Sequence, residues 1–482
     1  MFVKKWQKNI LFLLSLICIL ASCMAITPNN NIATVTASSK IFSIETKIFL
    51  PLLLKEYPLT NIFGAQLSEI NDSHGLSLMN DVKSSWTRLD FPWREVEQSE
   101  GLRNWANVSN LEQQLINGAQ TNVETLLIVG GTPDWASYPG YTCGGRIQPE
   151  KLNAFADFMF DVVSKYSKPP FNLTYYELWN EPDVATLLGC WGDPSDALYY
   201  GGSNYGEMLK AVYGSMKRAD PHAQVLVGGL LLDCDPALGL VNNDSSKKEC
   251  TSANFLKGIF EAGAGNSFDG VAFHSYDYYG GVLGQYSNQN FSGSWNTTGP
   301  VTSQKAIYLR NILSQYNAGQ KYLMNTEAGL FCSGDSCNVP AYGFQTTKAY
   351  YIAQEMAVAL ADGYIANIWY SVYGDRNSGL LDQNNNNQPY PAYYAFGVAS
   401  KSLQGYKFSQ KLSLGIGMLA YEFVNSSGSK QWVLWANDGN LHPISLPGLP
   451  KSIQRISDTG QAENINPSTT VNVHYAPVFI KY

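Results

Sequence analysis

Residues 175–182 read Tyr-Tyr-Glu-Leu-Trp-Asn-Glu-Pro, an apolar, β-prone stretch that runs directly into Glu181. Residues 321–329 read Lys-Tyr-Leu-Met-Asn-Thr-Glu-Ala-Gly and have the same character, with Glu327 at the end of the apolar run. An ionised carboxylate is costly to remove from water unless a partner compensates for its charge. Two glutamates at the ends of buried strands therefore predict a pair of opposed carboxylates in one site.

Apolar strands alternate with amphipathic segments through most of the chain. Eight strands are predicted, at residues 62–67, 85–91, 124–130, 175–179, 224–230, 270–274, 322–326 and 366–371. Between several of them, as at residues 150–166 and 205–218, apolar residues recur at helical spacing. Alternating strands and helices form parallel β/α units, and eight units predict a closed (β/α)8 TIM barrel with its active site at the carboxyl ends of the strands. Both glutamates fall at such ends.

Short β segments separated by turns follow this region. They lie at residues 418–424, 431–435, 453–456 and 471–475 and are separated by turn-forming sequences rich in Asn, Ser, Asp and Gly. They predict a small antiparallel β-sandwich over residues 406–482, after a barrel over residues 59–405. We expect the sandwich to support the barrel rather than to bind a ligand.

The composition is that of a folded, acidic protein. The 482 residues are 45% hydrophobic and 15% charged, which allows a large core and excludes an intrinsically disordered chain. The net charge is −7 and no basic patch stands out, so nucleic acid is not an expected partner. Aromatic residues make up 13% of the chain, which is typical of surfaces that stack on sugar rings but is equally explained by core filling.

The N-terminus has the features of an export signal. Lysines precede a short apolar run at residues 10–20, so residues 1–22 are predicted to be a signal peptide. The sequence Leu-Ala-Ser-Cys that ends at Cys23 resembles the bacterial lipobox and implies a lipid anchor there, with ordinary cleavage nearby as the alternative. Residues 23–58 then form a tether and N-terminal segment. Either route predicts an exported protein, secreted or lipid-anchored at the cell surface, that meets a membrane only through this anchor.

The cysteines after residue 23 agree with export, because an even number in an oxidising compartment indicates disulfides. They are Cys143, Cys190, Cys234, Cys250, Cys332 and Cys337. Local loop closures would join Cys332 with Cys337 and Cys234 with Cys250 and leave Cys143 with Cys190, but other connectivities remain open. The spacing matches no common cysteine metal motif, so neither a metal nor another cofactor is predicted.

Several motifs carry a family resemblance. They are Trp-Asn-Glu-Pro at residues 179–182, Asn-Thr-Glu at 325–327, Arg-Leu-Asp-Phe-Pro-Trp at 88–93, Thr-Pro-Asp-Trp at 132–135, His-Ser-Tyr at 274–276, and Trp369. Together they resemble clan A of the retaining glycoside hydrolases, whose barrels carry an Asn-Glu pair after the fourth strand and a nucleophile after the seventh. The resemblance spans residues 60–480 and is to families 39 and 5, with the terminal sandwich favouring family 39.

The resemblance implies cleavage of glycosidic bonds by double displacement. Glu181 is expected to act as general acid and then base, with a pKa raised by burial and by its partner's charge, and Glu327 as the ionised nucleophile. Retention of configuration requires carboxyl groups about 5 to 5.5 Å apart, whereas inversion needs about 6.5 to 9.5 Å. The expected substrate is a carbohydrate. β-Linked glucan, xylan or xyloside, and mannan all fit, with either endo or exo action.

Four polar residues are expected to support the glutamates and bind substrate. Asn180 is expected to hydrogen-bond the sugar 2-hydroxyl, and Arg88 to keep Glu327 ionised. His274 and Tyr276 lie two residues apart, so they project from one face of a strand and reach the sugar or Glu327. An interior ion pair is the alternative role for Arg88, and a buried core histidine is the alternative for His274.

Two tryptophans complete the predicted site. Trp369 on the eighth strand is expected to form the floor of the sugar subsite, with core packing as its alternative, and Trp135 to contact substrate after the third strand. A non-catalytic carbohydrate-binding surface protein on a barrel scaffold is the alternative from another functional class, and the presence of both Glu181 and Glu327 argues against it. A metal-dependent barrel is disfavoured because the chain contains no H-x-H motif, and an aldolase-type barrel because no strand-end lysine stands out as a candidate for a Schiff base. The sequence indicates no particular oligomeric state.

Overall fold

The computed structural model describes residues 61–482 except for 141–143, 186–188, 237–249, 289–294, 296–298, 335–336, 338 and 340–342. The predicted signal peptide, the lipid anchor on Cys23 and the tether that follows it lie outside the described residues. They therefore remain predictions.

Strands and helices alternate from β1 to α8. The strands are β1 (Phe63–Ala65), β2 (Trp86–Pro92), β3 (Glu124–Gly130), β4 (Tyr175–Asn180), β5 (Gln224–Leu230), β6 (Gly270–Tyr279), β7 (Tyr322–Phe331) and β8 (Asn367–Trp369). The helices that follow them are α1 (Leu76–Asp81), α2 (Ser109–Gln120), α3 (Leu152–Tyr166), α4 (Gly202–Ala219), α5 (Phe255–Glu261), α6 (Thr302–Gln315), α7 (Phe344–Ala361) and α8 (Pro391–Leu403). The loops hold a one-turn helix, Trp93–Val96, and short strands at Tyr286–Ser287, Leu381–Asp382 and Gln388–Pro389. Each predicted strand overlaps an observed one.

The strands close into a barrel. Neighbours pair in parallel from β1 to β8, and β8 returns to β1 with Ile368 opposite Gly64. The predicted (β/α)8 TIM barrel is thereby confirmed. Glu181 directly follows β4 and Glu327 lies in β7, so both belong to the carboxyl-terminal end of the barrel.

Alternate residues of the strands fill the barrel, and their character changes along its axis. Toward the amino-terminal ends they are apolar and comprise Trp86, Leu126, Leu226, Ala272, Met324, Ala366 and Ile368. Two positions further on, the same faces of β2 and β6 carry the buried side chains of Arg88 and His274. The apolar layer therefore supports a polar layer at the end where the loops converge.

Antiparallel sheets follow the barrel. Their strands are β9 (Tyr406–Lys411), β10 (Met418–Asn425), β11 (Lys430–Ala436), β12 (His442–Ser445), β13 (Ser452–Ile456), β14 (Ala462–Ile465), β15 (Thr470–Val473) and β16 (Val478–Lys481). One sheet has the order β9-β10-β11-β16-β13-β14, and β12 pairs with β15. Leu434, Ile444 and Val473, which come from both sheets, share one hydrophobic cluster. The sequence pattern does not reveal β9, β12, β14 or β16, which are short or mostly exposed.

The disulfides bear on the predicted export. The disulfides Cys234–Cys250 and Cys332–Cys337 are present as predicted. Cys190 is also disulfide-bonded, while its predicted partner Cys143 lies outside the described residues. Within the part of the chain that the structure describes, no helix combines the length and apolar character needed to cross a bilayer.

Gly64 in β1 packs tightly against β2, and a Cβ atom there would lie 2.4 Å from the Trp86 carbonyl oxygen. We expect Gly64→Ala to lower the free energy of unfolding by about 1 to 3 kcal/mol, because the two strands must separate. Urea denaturation followed by tryptophan fluorescence measures this change. Gly319→Ala is the matched control, because a Cβ atom there meets nothing within 4 Å. Equal stability of the two variants would contradict the expectation.

Candidate active site

A cavity of about 380 Å³ opens at the carboxyl ends of the barrel strands. Asn180, Glu181, Tyr276 and Glu327 line it. The remaining lining comes from β6, β7, α6 and the loops after β5, β6 and β8, and comprises Leu231, Leu232, Asp233, Tyr278, Asn288, Trp295, Lys305, Phe331, Tyr370, Asp375 and Arg376. The two glutamates therefore share one cavity.

Asn180 and Glu181 both face the cavity, although consecutive residues of a regular strand point to opposite faces. The backbone explains this arrangement, because Trp179 and Glu181 have φ angles of 64° and 44°, left-handed values that are uncommon for bulky residues. The Glu181 amide is held by donating to the Gly229 carbonyl at 2.9 Å. Strained backbone of this kind concentrates at functional sites, where the surrounding packing maintains it.

Glu327 reaches the cavity through an irregularity in β7. Phe273 pairs with Asn325 and His274 with Glu327, so Thr326 is an extra residue in the register. This β-bulge reverses the alternation of side chains. Asn325 accordingly points to the helix layer, where its Nδ2 donates to Glu355 Oε1 at 3.2 Å, while Glu327 points into the barrel.

The Arg88 guanidinium joins the carboxylates beneath the cavity. Its Nη1 donates to Glu327 Oε1 and, at 3.1 Å, to Gln66 Oε1. Its Nη2 donates to Glu177 Oε1 at 2.9 Å and to Asn180 Oδ1 at 3.1 Å. The side chains of Arg88 and Glu177 are fully buried, so these hydrogen bonds form at low dielectric. Arg88 thus compensates two buried carboxylates and orients Asn180 so that its Nδ2 remains a donor.

Two side chains of β6 complete the contacts with the glutamates. The Tyr276 hydroxyl donates to Glu327 Oε2. His274 Nδ1 lies 2.9 Å from Glu181 Oε1 and 3.3 Å from Glu327 Oε2. Burial, together with the charges of Arg88 and Lys305, holds the pKa of His274 well below its ordinary value. A neutral imidazole therefore bridges the two carboxyl groups.

The two glutamates differ in how readily they ionise. Burial, followed by the charges of Glu327 and Asp183, raises the pKa of Glu181 well above its usual value. Burial also raises the pKa of Glu327, but the charge of Arg88 and hydrogen bonds from Tyr276 and Arg88 oppose the rise. Two like charges at this separation do not both form readily. The proton therefore stays on Glu181 and the negative charge on Glu327.

Glu181, His274 and Glu327 each offer a ligand atom, and these atoms lie within 4.8 Å of one another. A cation is nevertheless a poor fit, because both Glu327 oxygens already accept hydrogen bonds from Arg88 and Tyr276. A metal ion bound there would share a carboxylate with a guanidinium. The donor set fits a pair of carboxyl groups that share a proton.

The structure brings most of the predicted site residues together. Hydrogen bonds join Arg88 with Asn180 and Glu327, and Tyr276 with Glu327. His274, which is hydrogen-bonded to Glu181, has its Nδ1 3.3 Å from Glu327 Oε2. The two predicted tryptophans are not part of this group.

The prediction for Trp369 fails because of strand alternation. Ile368 packs in the barrel interior and Tyr370 lines the cavity, so Trp369 between them points outward. Its ring centroid lies 6.1 Å from that of Tyr351 in α7, and its Nε1 donates to the Ser378 carbonyl at 3.0 Å. Tyr370 faces the cavity instead. The two-residue period of a strand indicates this, because Tyr370 lies two positions after the inward-facing Ile368.

Trp135 also lies outside the cavity. It belongs to a short 3-10 turn after β3 (Asp134–Ala136), and its ring packs edge-on against that of Trp93 at 5.3 Å. Its Nε1 donates to the Glu97 carbonyl at 2.9 Å. The tryptophan therefore ties two loops together, a contact between distant segments that the local motif does not encode.

Lys305 and Arg376 line the cavity but are not identified from the sequence. Lys305 lies on the apolar face of α6, and a lysine on such a face is a detectable signal. Arg376 belongs to the loop after β8 and has its guanidinium carbon 4.4 Å from the centroid of the Phe331 ring. Its position follows from loop packing, so no sequence signal marks it.

No family model and no curated protein matches the sequence. Solved structures do match. A family 39 glycoside hydrolase from the gut symbiont Bacteroides cellulosilyticus WH2 has a TM-score of 0.65 and 19% identity, over 87% of this chain and 80% of that one. A GH30 endoxylanase from Clostridium papyrosolvens C71 has a TM-score of 0.58 and 15% identity, over 87% and 96%. A monomeric β-xylosidase from Caulobacter crescentus CB15 has a TM-score of 0.55 and 13% identity, over 88% and 94%.

These comparisons show that the chain has the fold of glycoside hydrolases of clan A, as the sequence resemblance implied. Its likeness to a family 39 structure extends over most of both chains. At such low identity the likeness establishes the fold, and an activity has to be argued from the site.

Loss of the central arginine should be severe. We expect Arg88→Met to lower the free energy of unfolding by about 3 to 5 kcal/mol at pH 7, because Glu177 and Glu327 remain buried without compensation. Without Arg88, burial keeps the pKa of Glu177 above its unfolded value of about 4.3, so the deficit should shrink as the pH falls toward that value. Urea denaturation at several pH values measures both effects.

Two further variants make this experiment decisive. Arg88→Met combined with Glu177→Gln should recover part of the loss, since it removes one uncompensated carboxylate. Arg455→Met breaks an exposed pair with Glu463, 2.8 Å long, and should cost at most about 1 kcal/mol. An Arg88→Met variant as stable as Arg455→Met would show that the buried network contributes little.

Proposed function

We propose that the protein is a retaining glycoside hydrolase that cleaves O-glycosidic bonds of a β-linked oligo- or polysaccharide. The observation that carries this proposal is that one carboxylate oxygen of Glu181 and one of Glu327 lie within 4.8 Å of each other. Double displacement uses carboxyl groups about 5 to 5.5 Å apart, whereas inversion needs room for a water molecule and about 6.5 to 9.5 Å. The separation therefore supports retention.

In the first step Glu181 gives its proton to the glycosidic oxygen while a carboxylate oxygen of Glu327 attacks the anomeric carbon. The bond from that carbon to the leaving group breaks, and an ester bond forms between Glu327 and the sugar. The raised pKa of Glu181 keeps its proton available at neutral pH. Arg88 and Tyr276 donate to different oxygens of Glu327 and so hold it in place.

In the second step Glu181, now ionised, takes a proton from water as the water oxygen attacks the anomeric carbon. The ester bond breaks, the sugar leaves with its original configuration, and Glu327 regains its charge. Esterification has meanwhile removed the negative charge that raises the pKa of Glu181, which suits Glu181 to act as a base. Asn180 retains its Nδ2 as a donor for the sugar 2-hydroxyl.

The substrate proposal rests on the cavity and on the comparisons. Tyr370, Tyr278 and Trp295 give the cavity aromatic surface for a sugar ring. Endoxylanase and β-xylosidase activities belong to two of the matched proteins. The name of the second specifies a β-linked sugar, which supports a β-linked substrate for this chain.

The predicted location and domain division are also proposals. We propose export through the signal peptide, with a lipid anchor on Cys23, and a barrel over residues 59–405 followed by a sandwich over residues 406–482. The disulfides Cys234–Cys250 and Cys332–Cys337, together with the disulfide-bonded Cys190, support an oxidising compartment.

Variants of the two glutamates test the proposed roles. On aryl β-glycosides and β-linked polysaccharides, we expect Glu181→Gln to lower kcat/KM by about 10² to 10⁴-fold where the leaving group needs a proton, and less where it does not. Glu327→Gln should lose activity on every substrate, since no glycosyl ester forms. Glu207→Gln, which changes an exposed carboxylate on α4, is the control, and a chelator should have no effect. Wild-type rates in both site variants on every cleaved substrate would refute the assignment.

The stereochemical outcome tests the mechanism separately. Proton NMR should show the β anomer as the first sugar released from a β-glycoside. Azide should restore activity to Glu181→Ala on an activated aryl glycoside and give a β-glycosyl azide, whereas rescue of Glu327→Ala should give the α-azide, because each variant opens the opposite face of the sugar. An α anomer as the first product of the wild-type enzyme would establish inversion instead.

A further inference from the structure

Lys305 is a buried cation beside the glutamates that neither proposed step uses. It lies in the first turn of α6, is 3% exposed and lines the same cavity as Glu181. Its Nζ donates to the Leu231 carbonyl at 2.7 Å and to the His274 carbonyl at 2.9 Å. One ammonium group therefore joins the loop after β5 to the residue of β6 whose ring contacts both glutamates.

Lys348 near the start of α7 offers a comparison within the same molecule. It is also fully buried, and its Nζ donates to the Asn377 carbonyl at 2.8 Å and the Gly379 carbonyl at 2.6 Å. Each lysine thus holds two backbone carbonyls at the same end of the barrel. Only Lys305 of the two lines the cavity described above. Variants of the two lysines therefore separate two effects: the loss of hydrogen bonds to backbone carbonyls, and the loss of a charge near Glu181.

The surroundings of Lys305 keep it charged. Burial lowers its pKa to about 8, and the carboxylates of Asp183, Asp233, Asp277 and Glu181 oppose that fall. The pKa lies above 7, so the ammonium form prevails at neutral pH.

Charges of both signs act on the ionisation of Glu181. Glu327 in β7 and Asp183 in its own loop disfavour its ionised form, whereas Arg88 in β2 and Lys305 in α6 favour it. The other titratable groups that contact the glutamates or line the cavity are His274 and Tyr276 in β6, Tyr278 at its end, Asp233 after β5, and Tyr370, Asp375 and Arg376 after β8. Arg88 is engaged by Glu327 and Glu177, so Lys305 is the cation that the described residues place on the side of the loop after β5.

We propose that Lys305 is a positioning residue, which holds His274 against the two glutamates and whose buried charge sets the pH range over which Glu181 exchanges its proton. The kinetic consequence rests on the proposed glycoside hydrolysis, but the electrostatic one does not. A positive charge favours an ionised carboxylate, so loss of Lys305 must raise the pKa of Glu181. Loss of the hydrogen bonds alone would lower rates without changing the pKa of Glu181.

The experiment titrates Glu181 directly. Protein labelled with ¹³C at the glutamate side-chain carboxyl carbon is followed by NMR against pH, and the Glu181 signal is assigned by its absence in Glu181→Gln. We expect Lys305→Gln and Lys305→Met to raise the pKa of Glu181 by about 1 unit or more, the scale of one charge within about 12 Å at an effective dielectric constant of about 20. Lys305→Arg keeps the charge, and Lys348→Gln removes hydrogen bonds from a lysine outside the cavity. Both variants should leave the pKa of Glu181 unchanged.

Kinetics supply the second readout. The alkaline limb of the pH profile of kcat/KM reports the protonated form of Glu181 in the free enzyme. In the Lys305→Gln variant this limb should move to higher pH by the same amount. On an activated aryl glycoside, where hydrolysis of the ester limits the rate, the acid limb of kcat should move up as well. Lys348→Gln should lower rates, if at all, without moving either limb.

Each outcome is decisive. If Lys305→Gln shifts the pKa of Glu181 no more than Lys348→Gln does, the proposal is overturned, whatever happens to the rates. If the wild-type protein cleaves no glycoside, the proposed function fails, while the NMR titration still decides the role of Lys305. If Lys305→Met does not fold, Lys305→Gln, which keeps a hydrogen-bond donor at this position, decides in its place.

Discussion

The buried guanidinium of Arg88 is the group on which the site depends. It brings together carboxylates from β4 and β7, and without it two acids would lie in the barrel interior with no compensating charge. A buried charge is tolerated only when it is paired and hydrogen-bonded, so this one side chain permits the whole polar layer above the apolar core. It also acts directly on the site, since it donates to Glu327 and orients Asn180.

Both glutamates depend on departures from regular strand geometry. Left-handed backbone at Trp179 and Glu181 lets two consecutive residues face the cavity, and the extra residue Thr326 turns Glu327 inward. Each irregularity weakens the local ladder and is maintained by contacts formed elsewhere. The hydrogen bonds from Arg88 and Tyr276 to Glu327 supply such contacts. The positions of both glutamates in the site therefore depend on these irregularities of the backbone.

The electrostatic asymmetry of the pair follows from where the cations lie. Arg88 contacts Glu327 directly, whereas Glu181 has a neutral imidazole as its nearest described partner and a second acid, Asp183, in its own loop. Two chemically identical side chains therefore hold different protonation states at one pH. Lys305 lines the same cavity, and its charge favours the ionised form of Glu181, the protonated member of the pair.

The barrel could be predicted from the amino-acid sequence alone, because strands and amphipathic helices have periods of 2 and 3.6 that show locally which face of each element is buried. The sequence also placed Glu181 and Glu327 at strand ends, paired cysteines that are close in the chain, and identified Arg88, Asn180, His274 and Tyr276. The contacts of the folded chain show that Tyr370 rather than Trp369 faces the cavity, that Trp135 ties loops together, and that Lys305 joins the loop after β5 to β6. Local periodicity does not encode a bulge, a left-handed residue or a hydrogen bond between residues 239 positions apart, such as that of Arg88 with Glu327. These features arise because closing the barrel brings distant segments into one low-dielectric space, where each polar group must find a partner.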